Sequence, residues 1–293
     1  MDTIVYLSTS GLQMIQGNIE KNKIHISSYK NYAFIEGTML DGKVLDEQSV
    51  INTLLELKKN NIDKVKLVVD SGQILLKSTM LPKVNHQQLI QFVRDEFVEV
   101  EGQYQDLLYD YAILKDEVPF KDGQLVLCAA LEREFIKSYL DLFEQANITV
   151  TAIDLLTNAV IKLTESIDEL KNKSYVISSI NGQDVNHYLF IHGQYEITNR
   201  TRIFSQRGTV SFITELSNSL TKLLQFVKGT YKDEVLSMVY FAGLETYEEE
   251  LLMTTISSNL DINTACFEPK NYVSDNNDFK IHQYLLVGSL WRR

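Results

Sequence analysis

Residues 77–164 constrain this chain more than any other stretch, because short apolar runs and helical periodicities alternate there with little between them. Residues 77–81 read as a strand. Pro82 stops it, since proline has no N–H to give a ladder and biases Leu81 to extended geometry. Asn85 is an N-cap candidate, and Leu89, Ile90, Phe92, Val93 and Phe97 follow at helical spacing. Tyr109, Tyr111 and Ile113 alternate with Asp110 and Ala112 as a half-buried strand, and 125–131 is a nearly continuous apolar run, a deeper one. Phe135, Ile136, Tyr139, Leu140, Leu142 and Phe143 mark a second amphipathic helix. Ile148, Val150 and Ala152 alternate as a last strand, and a helix leads away over 155–170. This order describes a small α/β unit that buries a helix pair against a short sheet.

The flanking chain reads as two related halves. Residues 3–7, 12–19 and 23–29 form a strand meander, and Asp41-Gly42 is a turn. Val50, Ile51, Leu54, Leu55 and Leu57 make a helix face, and 65–69 is a buried strand turned by Ser71-Gly72. After a polar turn at Asn172-Lys173 come strands at 175–180, 186–191 and 195–202, divided by Asn181-Gly182 and His192-Gly193. A long helix follows Gly208, with Phe212, Leu216, Leu220, Leu223 and Val227 on one face. A strand at 236–241 exits through Ala242-Gly243-Leu244. A helix at 248–256, a strand at 262–266, a polar loop at 272–278 and an apolar helix at 282–293 complete the chain. The strand-turn-strand openings at Ile4 and Val176 amount to a weak internal duplication.

Composition excludes several functions. The formal net charge of −11 argues against a nucleic-acid or anionic-membrane surface. No run approaches the ~20 apolar residues of a membrane span, and MDTIVYLSTSG lacks the basic region of a signal peptide. Cys128 and Cys266 fit no metal-ligand spacing, and two lone thiols suit a reducing cytoplasm. His187 and His192 are five apart, an odd offset that puts them on opposite strand faces rather than on one metal. Glu96, Glu99 and Glu101 read as a solvated helix end.

The words of the central block also come in a familiar order. Leu81-Pro82, Arg94-Asp95-Glu96, Tyr109-Asp110-Tyr111, the run 125–130, and Asp154-Leu155 with Ala159 resemble the PilM family of type IV pilus assembly proteins, relatives of the cell-division protein FtsA. The ending at 282–293 looks like that family's closing segment. The resemblance implies an α/β, actin-like (ribonuclease H-like) two-domain fold of mixed sheets. Its expected divisions are a first subdomain at 1–76 plus 155–173, an inserted subdomain of 1C type at 77–154, and a second domain at 174–293 with a reduced 2B subdomain.

Actin-like ATPases grip nucleotide with two hairpins, each carrying an Asp that directs Mg²⁺ and a Gly that lets backbone approach phosphate. Set against the family's first hairpin, this chain places Tyr6 at the aspartate, Ser8 at the glycine and Gln13 at the lysine, with Thr9, Ser10 and Gly11 between. In the second hairpin, Ser179 and Asn181 stand where Asp and Gly belong, while Gly193 and Arg200 keep their downstream places. No Asp-x-Gly occurs in 1–30 or 174–200, and the adenosine-side Gly pair is reduced to Ala242-Gly243. The chain is therefore expected to be no enzyme, with no catalytic residue, metal or cofactor; ATP binding without turnover is left open. The resemblance implies a cytoplasmic scaffold, peripheral to the membrane. It would dock the cytoplasmic tail of a PilN-like bitopic partner and connect with the pilus motor ATPase and platform protein. Leu81, Phe92, Tyr109 and Tyr111 are the candidate contacts for that tail. The alternative is an ATP-binding actin-like protein of FtsA type.

Overall fold

The computed structural model describes residues 1–104, 106–116, 123–232, 234–269, 272–274 and 278–291. The chain opens with β1 (Asp2–Ser8), β2 (Gly11–Glu20) and β3 (Lys23–Ala33), then the small hairpin β4 (Met39–Leu40) and β5 (Lys43–Val44). Helix α1 (Glu47–Lys59) follows, started by Asp46, whose carboxylate accepts from Ser49 N at 3.1 Å. Next come β6 (Lys64–Val69), β7 (Leu75–Leu81), α2 (His86–Asp95) and the single turn α3 (Val98–Glu101). Asn85 caps α2 as its sequence position predicts, accepting from Gln88 N at 3.0 Å. The chain continues through β8 (Leu107–Lys115) and β9 (Gln124–Glu132) to α4 (Arg133–Gln145), β10 (Thr149–Leu155) and α5 (Leu156–Glu165).

The second half holds β11 (Tyr175–Asn181), β12 (Asp184–Ile191), β13 (Gln194–Arg202), α6 (Val210–Thr230), β14 (Met238–Ala242), α7 (Glu249–Leu260) and β15 (Thr264–Cys266). The chain then returns to the first half through β16 (Val273–Ser274) and two 3-10 segments, Ile281–Gln283 and Leu285–Leu290, called here the strap.

Each half is built on a mixed sheet. The first runs β10-β6-β1-β2-β3-β16, the second β13-β12-β11-β14-β15, and the insert is a separate antiparallel sheet, β7-β9-β8. In β1, Ile4 and Tyr6 join one core and Val5 and Leu7 another, so this central strand is buried on both faces and reads as unbroken apolar sequence. The first core contains α5 and the strap, through Val160, Leu163, Leu286 and Val287. The second contains α1 and α4, through Leu54, Tyr139 and Phe143. In the second half, α6 packs Phe212, Leu216, Leu220 and Leu223 against Val176, Leu189 and Phe241.

Four expectations need correction. The helix at 135–143 and the strand at 148–152 were assigned to the insert. Instead β10 pairs in parallel with β6, and α4 buries its apolar face on the first sheet. The closing segment is 3-10 rather than an apolar α-helix: Tyr284 at φ −132, ψ 59 interrupts it, and residues 285–290 are buried on every side. Residues 292–293 of that expectation lie outside the described residues. The polar stretch 272–278 is not all loop, because Val273 pairs with Ile24 of β3; 275–277 lie outside the described residues. The helix expected at 155–170 ends at Glu165, and a 3-10 turn, Asp168–Leu170, completes it.

Candidate functional site

The turns of the two hairpins meet in the cleft between the halves. Thr9, in the β1–β2 turn, donates to Asp184 Oδ2 at 2.7 Å, and Ser10 donates to Asn181 Oδ1 at 2.5 Å. Asn181 in turn donates to the Tyr6 hydroxyl at 3.1 Å. Ser8 turns inward and donates to Gly11 O at 2.8 Å. Gln13 reaches the strap, donating to Gln283 O at 2.8 Å. Ser179 lies in β11 between Asn186 and Ala242 and borders the same cleft. Tyr6, Ser8, Thr9, Ser10, Gln13 and Asn181, which the family resemblance sets at nucleotide-hairpin positions, thus hydrogen-bond to protein, and Ser179 lies beside them. Burial, reinforced by the Asp70 carboxylate, raises the Tyr6 phenol well above its ordinary pKa, so it stays a neutral acceptor and donor.

Behind these turns lies a charge cluster. Arg200 of β13 contacts Asp70 Oδ2 and Asp41 Oδ1, each at 2.7 Å, and Arg202 contacts Asp184 Oδ1 at 3.2 Å. Asn186 also donates to Asp70 at 2.8 Å. Burial alone would lower the Arg200 pKa, but the Asp70 and Asp41 carboxylates more than offset it and the net shift is upward. The carboxylates nearest the hairpins are therefore occupied by guanidinium groups, which repel a divalent cation approaching the same oxygens.

Asp70, Asp41 and Asp184 escaped the sequence reading. Asp70 directly follows a buried strand, at the carboxyl end where open α/β sheets form their crevices, and that position was the available signal. Asp184 follows Gly182 instead of preceding a glycine, so the Asp-x-Gly pattern does not reach it.

On the other wall, Gly243 has φ +77 and passes so close to β11 that a Cβ would lie 2.1 Å from Ile180 O. Its N–H is spent on His282 O of the strap at 2.6 Å. The remaining cleft has a volume of about 220 Å³, bordered by Tyr6, Asp70, Asn181, Gly243 and Tyr284. That is below the roughly 300–1,000 Å³ typical of small-molecule sites.

A second cavity, about 300 Å³, opens between the insert and the first half. Its walls are Leu108 and Ala112 of β8, Leu127 and Ala129 of β9, and Ile153 and Leu155 of β10. Strands β8 and β10 each lie at the end of their sheet, so among the described residues both have one edge with no strand beside it. Of the four expected partner-contact residues, Tyr109 and Tyr111 border this groove. Leu81 does not: it is buried with Leu89 and Val93 inside the insert. Phe92 is half-exposed on α2 and is not part of the groove.

His187 and His192 are separated as expected. His187 is fully buried between the hydroxyls of Ser178 and Ser219, whereas His192 is exposed beside Glu234. Burial holds His187 neutral, with its pKa lowered to about 4. Cys128 is fully buried in β9, and burial pushes its thiol up to about 12. Among the described residues, no helix is long and apolar enough to cross a membrane.

No protein-family model matches this chain, and no curated protein is significantly similar in sequence. Solved structures are similar in fold. The PilM-PilN type IV pilus biogenesis complex matches with a TM-score of 0.78 at 14% identity, covering 99% of this chain and 96% of that one. A Bacteroides thetaiotaomicron protein with an actin-like ATPase fold and unknown function matches at 0.56 and 13%, covering 98% and 95%. The cytoplasmic domain of EpsL, an inner-membrane component of the type II secretion system of Vibrio cholerae, matches at 0.50 and 11%, covering 98% and 93%. The chain has the actin-like fold along its whole length.

Proposed function

We propose that this protein is a non-catalytic, actin-like scaffold of a type IV pilus or related secretion machine, held at the membrane by the cytoplasmic tail of a PilN-like bitopic partner. The observation that carries this reading is the groove beside two sheet-end strands, β8 and β10, lined by Leu108, Ala112, Ile153 and Leu155. An extended peptide entering it can take backbone hydrogen bonds from an edge and place alternate apolar side chains in the cavity. The hydrogen-bonded turns Thr9–Asp184 and Ser10–Asn181 support the loss of ATP turnover, because they fill the space that phosphates would need. Motor and platform proteins are further proposed partners. The alternative, nucleotide binding of FtsA type, draws on Asp70 and Asp184 bordering the cleft.

The test is titration with a labelled peptide of the partner's cytoplasmic tail. Ordering such a tail costs about 2–5 kcal/mol, so micromolar affinity is expected. Ile153 is 37% exposed. Ile153→Lys places a charge in the groove and should weaken binding about tenfold or more, since desolvating an unpaired charge is costly. Unchanged affinity in that variant would remove the groove from the reading.

A further inference from the structure

Glu249, Cys266 and His282 come from three elements far apart in sequence: the first turn of α7, the end of β15 and the strap. One ligand atom from each lies within 4.8 Å of the others, and among the described residues this is the one such group. His282 is 2% exposed, and its Nδ1 has no hydrogen-bond partner among the described residues. Oε1 of Glu249 is likewise buried without one. Each orphaned buried atom costs about 1–3 kcal/mol, so two beside a thiol call for a ligand that satisfies both.

The far side of the imidazole points the same way. His282 Nε2 is 3.6 Å from Glu268 Oε1, and Glu268 accepts from the backbone N–H groups of Ile281 and His282, each at 3.2 Å. A carboxylate facing one ring nitrogen favours the N–H there and leaves the lone pair on the other, as in metal-bound histidines. Thiolate sulfur, imidazole nitrogen and carboxylate oxygen together suit Zn²⁺ in tetrahedral coordination, with water as fourth ligand.

We propose that Glu249, Cys266 and His282 bind a zinc ion that clips the strap to the second half. Burial, with the Glu249 and Glu268 carboxylates, pushes the Cys266 thiol up to about 11, so binding displaces its proton to solvent. The strap otherwise packs on α5 of the first half and already accepts the Gly243 N–H through His282 O. Metal at this point would fix the strap to both halves where it borders the hairpin cleft.

The experiment is titration of reduced, metal-free protein with Co²⁺. One equivalent should bind with a thiolate-to-cobalt charge-transfer absorption that Zn²⁺ displaces and that Cys266→Ser lacks. Glu268→Gln should lower the affinity about 10–100-fold, as loss of a supporting carboxylate does. On the unsubstituted protein, Zn²⁺ should slow alkylation of Cys266 by iodoacetamide at least about tenfold, reversed by chelator, because the metal-bound thiolate is not free to react. Peptide mapping separates this signal from Cys128. Absence of the charge-transfer band, its survival in a folded Cys266→Ser protein, or equal alkylation with and without Zn²⁺ would overturn the site.

Discussion

Arg200 and Asp70 lie 130 residues apart in sequence, yet a guanidinium nitrogen of one is 2.7 Å from a carboxylate oxygen of the other. The bond ties the last strand of the second hairpin to the end of the central parallel strand of the first half. Arg200 also takes Asp41, so one side chain neutralises two carboxylates that would otherwise repel each other across the cleft.

Removing that cation should be costly. The Arg200 and Asp70 side chains are 21% and 14% exposed, between a surface pair and a fully buried one. Arg200→Met is expected to lower unfolding free energy by about 2–3 kcal/mol, read from the urea midpoint. Arg200→Met with Asp70→Asn should recover part of the loss, since Asp41, which still accepts from the Gly72 N–H at 2.8 Å, is then the one carboxylate of the pair left without its cation. A double variant as unstable as the sum of the two single ones would contradict this coupling.

Stability should fall on mild acidification because of His187. Its ring takes a proton near its ordinary pKa of 6.5 in the unfolded chain but only near about 4 in the folded one. The unfolded state therefore binds more protons between those values. The contribution of neutral His187 is complete above the upper value and is lost as pH falls through the window, about 2 kcal/mol by pH 5. Urea titrations at pH 7 and pH 5 measure it. His187→Gln should reduce the difference without abolishing it, because burial also lowers the His282 pKa to about 4; an undiminished pH dependence in that variant would assign it to other groups.

ATP with Mg²⁺ should not raise the melting temperature. A ligand at a hundred times its Kd adds about 2.7 kcal/mol of stability, a readily visible shift. On the proposed reading the bonds Thr9–Asp184 and Ser10–Asn181 stand in the way of phosphates, and Arg200 and Arg202 already pair with Asp70 and Asp184, the cleft carboxylates. A saturable rise in melting temperature would favour the nucleotide-binding reading.

Gly288→Ala should loosen the strap. A Cβ there would sit 1.8 Å from Ala159 O and 2.5 Å from its carbonyl carbon, both backbone atoms of α5 that cannot rotate away. The strap would have to lift, pulling Leu286 and Val287 from the core, at a cost of about 3 kcal/mol. Chemical denaturation reads the loss, and hydrogen exchange should locate it at α5 and the strap.

Much of the fold was legible because period identifies the buried face of an element. The face of α6, the cap at Asn85 and the unbroken apolar run of β1 all followed from residue spacing. Period does not identify the partner. The alternation of Ile148, Val150 and Ala152 is the same whichever sheet receives the strand, so β10 was placed in the insert rather than beside β6. Residues 285–290 are buried on all sides and have no polar face to set a helical period, so their 3-10 geometry left no trace. At the cleft, hairpin positions could be counted from turn to turn. Asp41 and Asp70 could not, because each sits in a turn whose sequence already has a local explanation. The same limit holds at Leu81, where strand alternation does not say which face of the insert carries its core.

The packing of the strap on α5 has a consequence for the order in which the protein becomes compact. Ala159, Val160 and Leu163 are covered by Leu286, Val287 and Leu290, and the whole second half lies between these partners in the chain. A nascent first half therefore emerges from the ribosome with one apolar face bare and must keep it from self-association until the strap has been made. Such long-range closure slows folding and leaves the incomplete chain a natural client for a chaperone.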